Sequence, residues 1–277
     1  MSEFVPIPAR RFSSYRRLFS GLAGHLCIDS VIEGYTPGYL YVDDEAAPGC
    51  GLLWNRADGI YLAGKASDET AEQLNRLLRQ ALIPDAAQRG IPVFTVTTDV
   101  RDWRPFQERL LAGLNARIIE RRQFQFTGQA LDPSQGLSDE MRIARVNQAL
   151  FSNPALVNYR DMLGWVLSFW RSPQEFTRHG LGFAVLDGDT LASWSLSVFV
   201  GQAAYDNKQV ELCVATPPAY RRRGLASLAA AACVQHCLEQ GYQLHWHCDV
   251  ENPGSAQVAE RVGFERMVDR SAWRIHF

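Results

Sequence analysis

The chain has 277 residues, 47% of them hydrophobic, which is enough for one large domain or two small ones with a buried core. Its net charge of −2 gives no pull toward nucleic acid or an anionic membrane, and no apolar run approaches membrane-span length. The six cysteines (Cys27, Cys50, Cys213, Cys233, Cys237, Cys248) lack the paired spacing of a metal site or disulfide framework, and the start, Met-Ser-Glu-Phe-Val-Pro, is no signal peptide, so cytoplasm is the expected location.

Taken in chain order, Tyr39–Asp43, Gly51–Trp54 and Gly59–Ala63 have the apolar content of short strands. A helix is predicted over Asp68–Leu82, with Leu74, Leu77, Leu78 and Ala81 on one face. Ile91–Thr97 reads as a strand, Trp103–Leu114 as a helix and Ala116–Phe126 as a strand. Residues 127–138 are polar, carry Gly and Pro and show no period, so they read as a linker between domains at 1–126 and 139–277.

Beyond it, Asp139–Leu150 and Leu156–Trp170 have helical patterning. Gly182–Leu186 and Leu191–Val200 are apolar strands joined by Asp187-Gly-Asp189, a hairpin signal. Val210–Ala215 is a strand and 222–240 a helix, with Leu225, Leu228, Ala229, Ala232, His236 and Cys237 on one face. Gln243–Asp249 is a strand. A short helix then runs to Arg261, and a last strand lies near Ala272–His276.

The stretch Thr216-Pro-Pro-Ala-Tyr-Arg-Arg-Arg-Gly-Leu-Ala226 joins that strand to that helix. The first backbone N–H groups of a helix have no intrahelical partner, and the helix dipole adds positive character there. Gly224 lets the backbone approach an anion, Ala226 keeps the turn tight, and Arg221, Arg222 and Arg223 bring charge for phosphate oxygens. It is neither a Walker loop, lacking Gly-Lys-Ser/Thr, nor a dinucleotide fingerprint, having one glycine of three. A basic run with one Gly at a helix start is also common without any ligand.

Arg-x-x-Gly-x-Ala at Arg221–Ala226, Asn252-x-x-Ser255 about thirty residues on, and Gly263-Phe264 are in register with the order strand, turn, helix, strand, loop, helix, strand. In this the chain resembles the acetyl-CoA-binding half of the GNAT N-acetyltransferase superfamily. Thr216-x-Pro218-x-Tyr220-Arg221, His245-Trp246-x-Cys248 and Asn252-x-x-Ser255-x-x-x-Ala259-Glu260 resemble zwittermicin-resistance-type acetyltransferases, which carry an N-terminal region ahead of the transferase domain. The resemblance implies an α/β (α+β) fold: a C-terminal GNAT domain with a mixed central sheet flanked by helices, preceded by a smaller α/β domain. The strand-helix-strand-helix-strand run before residue 126 parallels the one at 208–276. Two readings of it stay open, a degenerate GNAT-like half with Gly64-Lys-Ala-Ser67 in place of the phosphate loop, and an unrelated small α/β domain. In the bland version of that loop, Ser67 or Asp68 simply caps the helix.

The resemblance also implies acetyl-CoA as cofactor and a small-molecule amine as acceptor, with no nucleic-acid or membrane partner and a homodimer left open. Carried over by position, backbone groups of Val214, Ala215 and Thr216 would hold the pantetheine arm and thioester. Backbone N–H groups of Arg222, Arg223, Gly224, Leu225, Ala226 and Ser227 would hold the pyrophosphate. Asn252 would face the pantetheine, with Ser255 nearby, and no metal is expected. From the residues themselves, Glu211 is the candidate base, because a carboxylate in an apolar central strand is costly to bury unless it faces a cleft, a partner or water. Many superfamily members place that base one position earlier, which in a regular strand is the other face unless a bulge intervenes. His245 and His247 share one strand face and could relay protons. The acid is open: the superfamily's usual Tyr position is Ala259 here, with Tyr220, Cys248, His247 and Ser255 as alternatives. Two function classes follow: an N-acetyltransferase acting on a small amine, and a cofactor-binding sensor or scaffold whose catalysis has decayed.

Overall fold

The computed structural model describes residues 4–98, 100–134, 136–202 and 207–277; Gln135 of the linker expected at 127–138 lies outside them. Its contacts form two compact units, Met1–Glu120 with Ser271–Phe277, and Arg121–Arg270. The sequence reading put the last seven residues with the second domain. They group with the first because Trp273 and Ile275, 2% and 0% exposed, complete its core.

The first unit begins with β1 (Val5–Ile7), a 3-10 segment at Ala9–Leu22 and α1 (Leu26–Ile32). The 3-10 segment buries Phe12, Tyr15, Phe19 and Leu22. Strands β2 (Tyr39–Val42), β3 (Cys50–Trp54) and β4 (Gly59–Gly64) pair as an antiparallel meander. Asn55 sets the turn between β3 and β4: its Oδ1 accepts from the N–H groups of Ala57 (2.9 Å) and Gly59 (3.0 Å). The helical path predicted over Asp68–Leu82 is α2 (Asp68–Leu77), a π-turn at Leu78–Leu82 and α3 (Ile83–Gln88). Ser67 caps it reciprocally: Ser67 Oγ accepts from Thr70 N–H and Thr70 Oγ1 accepts from Ser67 N–H. β5 (Val93–Thr98) then returns parallel to β4, paired from Gly59↔Thr95 to Leu62↔Thr98.

The helix expected at Trp103–Leu114 is broken into α4 (Val100–Trp103), a 3-10 turn at Arg104–Phe106 and α5 (Gln107–Leu110). Pro105 has no N–H for a helical ladder, and Gly113 turns the chain with φ +70°. β6 (Asn115–Phe126) follows; the division between units falls inside it and inside the last strand. The core of this unit joins Trp54, Leu62, Leu74, Phe94 and Trp273.

In the second unit Met141–Arg145 is strand β7, not the helix predicted from 139. Met141 and Ile143 alternate with Arg142, and Met141 packs in a cluster with Val185 and Leu228, so the period is two and not 3.6. Short helices α6 (Gln148–Phe151), α7 (Tyr159–Phe169) and α8 (Pro173–His179) precede the expected hairpin of β8 (Gly182–Asp187) and β9 (Thr190–Gly201). Then come β10 (Gln209–Ala215), α9 (Leu225–Glu239), β11 (Gln243–Asp249), α10 (Pro253–Arg261) and β12 (Phe264–His276). The sheet order here is β6-β11-β10-β9-β8-β7, with β10 and β11 parallel and the other described pairs antiparallel. Mixed sheet and flanking helices agree with the expected fold class. Helix α9 is buried almost all round, not on one stripe, which its run of Ala229 to Ala232 allows.

Candidate functional site

β10 and β11 are paired at Gln209↔Gln243, Val210↔Leu244 and Glu211↔His245, and there the ladder ends. Both strands continue, β10 to Ala215 and β11 to Asp249, without pairing to each other. Each stays held on its outer side, β10 by β9 through Ala215↔Trp194 and β11 by β6 through Asp249↔Arg121. Two parallel strands that separate in this way leave edge backbone groups in need of partners. Val214, Ala215 and Thr216 lie along one arm. The Ala215 carbonyl accepts from Ser193 Oγ (3.1 Å), and the Thr216 carbonyl accepts from Arg221 Nε (3.1 Å).

The turn into α9 is fixed by its own side chains. Tyr220 donates its hydroxyl to Asp187 Oδ2 at 3.1 Å, and the Arg223 guanidinium lies 5.2 Å from the Tyr220 ring centroid. Arg222 and Gly224 both take left-handed backbone, φ +60° and +78°. Gly224 is the N-cap of α9, so no side chain serves the first-turn N–H groups. Among the described residues other than its chain neighbours, a Cβ on Gly224 would meet Arg261 Nη1 alone, at 3.9 Å. The space above the helix start is therefore open and flanked by arginine, a cradle suited to an anion. The Ser227 N–H is already bonded to the Gly224 carbonyl (3.0 Å) and its side chain is buried, so the groups presented there are those up to Ala226. Arg261 was not singled out from sequence; its signal was its place in the last turn of the helix before Gly263-Phe264.

Asn252 is the N-cap of α10, its Oδ1 accepting from Ser255 N–H at 3.1 Å, and Trp246 Nε1 donates to Ser255 Oγ at 3.0 Å. Ala259 is fully buried in α10.

Glu211 is 7% exposed and stands opposite Phe199, whose ring packs edge-on against Phe169 of α7. Cross-strand partners share a face, so Glu211 lies on the α7 side of the sheet, away from α9. A register shift does occur beside it, but the extra residue, Val198, is on β9, so Glu211 and Cys213 keep regular alternation. His245 and His247 lie on the Glu211 face. His247 Nδ1 is 3.0 Å from Glu211 Oε2, and His245 Nε2 is 2.6 Å from Gln209 Oε1. On β6, Arg121 pairs with Asp249 at 3.0 Å, and Gln123 stands opposite His247. Burial pushes the Glu211 carboxyl up, but His247, then His245 and Arg121, outweigh it and hold the group below the usual carboxylate range. Burial holds the His245 imidazole below its usual value, although Glu211 pulls the other way. The thiols of Cys213 and Cys248 are both pushed up by burial.

The family model described as GNAT acetyltransferase matches residues 16–271. Over 269 residues, 97% of each chain, the sequence is 21% identical to the uncharacterized N-acetyltransferase YdfB of Bacillus subtilis (strain 168). A crystal structure of a GCN5-related N-acetyltransferase-like protein from Streptococcus suis 89/1591 superposes with a TM-score of 0.69 at 21% identity, covering 97% of this chain and 99% of that one. A tandem GNAT protein from the clavulanic acid biosynthesis pathway superposes with a TM-score of 0.57 at 11% identity, over 99% of this chain and 98% of its own.

Proposed function

The chain belongs to the GNAT acetyltransferase family, and from that premise we propose that it moves the acetyl group of acetyl-CoA to the amine of a small molecule. The observation that carries this reading is the conjunction, within one unit, of strands that part after Glu211↔His245 and a helix start at Gly224 with open space before it. Bound acetyl-CoA supplies the activated thioester. Val214, Ala215 and Thr216 offer backbone groups to its pantetheine arm, and the N–H groups of Arg222, Arg223, Gly224, Leu225 and Ala226, with Arg261 beside them, receive the pyrophosphate. Asn252 presents its amide near that arm, with Ser255 in the same turn. Acid–base work centres on Glu211, which lies at the point where the strands separate.

The first unit repeats the parallel strand, helix, parallel strand order, yet its β4–β5 ladder runs on to Thr98. At the place of the phosphate loop, a Cβ on Gly64 would stand 2.1 Å from the Gly49 carbonyl oxygen, so protein backbone fills the space that is open at Gly224. This supports a degenerate GNAT-like half that holds no cofactor of its own. The motifs at Thr216, His245 and Asn252 support placement beside the zwittermicin-resistance-type enzymes. Six cysteines with no disulfide among the described residues suit a reducing, cytoplasmic setting.

A decayed cofactor-binding module is the second reading, favoured by buried Ala259 where a tyrosine hydroxyl is usual. Calorimetry with acetyl-CoA, together with thiol release across a panel of small amines, separates the two. Binding with amine-dependent release supports transfer. Binding with no release over a wide panel supports the module, and no binding overturns both.

A further inference from the structure

Helix α7 presents two neighbouring ridges, each repeating every fourth residue. Met162, Val166 and, at the helix end, Trp170 form one. All three are buried; Trp170 packs edge-on against Phe176 and donates from Nε1 to the Ser197 carbonyl at 2.9 Å. Asp161, Trp165 and Phe169 form the other, which stays at the surface: Asp161 is exposed, Trp165 is 38% exposed and Phe169 is half-buried. We propose that this second ridge is the acceptor-binding wall of the site and selects a primary amine carried on a flat aromatic body. This rests on the transfer reading above.

Three observations carry the assignment. The ridge reaches the point where the strands part. The Phe169 ring lies edge-on to Phe199 with centroids 5.6 Å apart, and Phe199 is the β9 partner of Glu211, the last residue of β10 paired to β11. Beyond that point the floor is open. Residues 209–212 of β10 are buried, as suits a strand with neighbours on both sides, yet Cys213, Val214 and Ala215 are half-exposed. Cys213 and Ala215 follow Glu211 at a spacing of two, so they lie on the α7 face of the arm assigned to the pantetheine.

The third observation is chemical. The Trp165 and Phe169 rings stand 6.3 Å apart with their planes 32° from each other, a stepped platform of ring carbon that matches a flat apolar body. Ring faces also attract an ammonium group. Asp161, one turn before Trp165 on the same ridge, adds negative charge that draws a cationic amine toward the rings. A polycation calls for several carboxylates, and this ridge carries one. A ring laid on Trp165 and Phe169 directs the amine it carries toward Phe199 and the arm of β10.

The test measures binding of phenethylamine, glycinamide and kanamycin to the full-length chain saturated with CoA, by calorimetry, and then thiol release from acetyl-CoA with each amine. Phenethylamine is expected to bind at least about 10-fold more tightly than glycinamide, which has the amine and no ring, and to release thiol. Trp165→Ala should raise its Kd and KM roughly 10-fold, with kcat within about threefold and CoA affinity kept, and Trp165→Phe should restore most of the loss. Phe169→Leu, which keeps an apolar side chain against Phe199, should weaken phenethylamine in the same direction. A merely structural role would not raise KM while sparing kcat and CoA affinity. Phenethylamine that binds no more tightly than glycinamide overturns the proposal, as does an unchanged Kd in Trp165→Ala. Thiol release with kanamycin and none with phenethylamine overturns this proposal alone and leaves transfer in place. A chain that does not bind CoA overturns the transfer reading, and this proposal with it, before any amine is added.

Discussion

Arg261 Nη1 lies 3.9 Å from the point where a Cβ on Gly224 would stand, so the last turn of α10 closes over the first turn of α9. Apart from its chain neighbours, no other atom of the described residues comes within 4 Å of that point. A glutamate at this position would place a carboxylate where the pyrophosphate is to lie, on a backbone at φ +78° that side chains rarely adopt. Gly224→Glu should abolish measurable acetyl-CoA binding while far-UV circular dichroism stays near wild type. Retained affinity in calorimetry would sink the phosphate-cradle assignment.

Arg261 offers a charge-assisted contact that carries no structural hydrogen bond among the described ones. Losing one such contact costs about 1.5–3 kcal/mol. Arg261→Ala should therefore weaken acetyl-CoA roughly 10-fold or more, and should weaken dephosphorylated or truncated analogues lacking the pyrophosphate much less. Equal losses on both ligand sets would place Arg261 away from the phosphates.

Gly64 is the counterpart in the first unit, and there the expectation reverses. Its φ is +91°, and an added methyl would collide with the Gly49 carbonyl oxygen at 2.1 Å and Cys50 Cα at 2.8 Å. Backbone must move, at a cost of about 1–3 kcal/mol. Gly64→Ala should lower the unfolding temperature by several degrees, while the folded protein binds acetyl-CoA within twofold of wild type. A specific loss of affinity at full folding would mean that the first unit holds cofactor after all.

Much of this was legible in the sequence where one local rule suffices. Gly224 could be recognised because strand, basic turn and helix start are contiguous, and the β8–β9 hairpin because Asp187-Gly188-Asp189 sits between two apolar runs. The Met141–Arg145 strand was misread because five residues carry too short a pattern to distinguish two periods; its partner β8 decides. The Glu211–His247 contact joins strands 36 residues apart, and no spacing rule announces it. Nor did sequence show which face Glu211 takes. That depends on whether a bulge falls on β10, and the extra residue proves to be Val198 on β9, beside Phe199, the partner of Glu211.

Acid stability tests the polar face of β10 and β11 without any ligand. For both His245 and Glu211 the folded-state pKa lies below the ordinary value, 6.5 and 4.5 respectively. The unfolded chain then binds more protons than the folded one as pH falls, so folding stability falls with it. The His245 contribution is fully present above about pH 6.5 and is lost below, as the buried ring is forced to charge. The Glu211 contribution is present above about pH 4.5 and is lost as pH drops further and the carboxylate bonded to His247 is protonated. Urea unfolding midpoints should therefore decline in two stages, the first setting in below about pH 6.5 and the second below about pH 4.5. His245→Gln should reduce the first stage, to which His236, also held below its usual value by burial, contributes, and leave the second. A midpoint that does not change from pH 7.5 to about pH 5.5 would show that His245 is not held neutral, and with it that this face is open to water rather than enclosed.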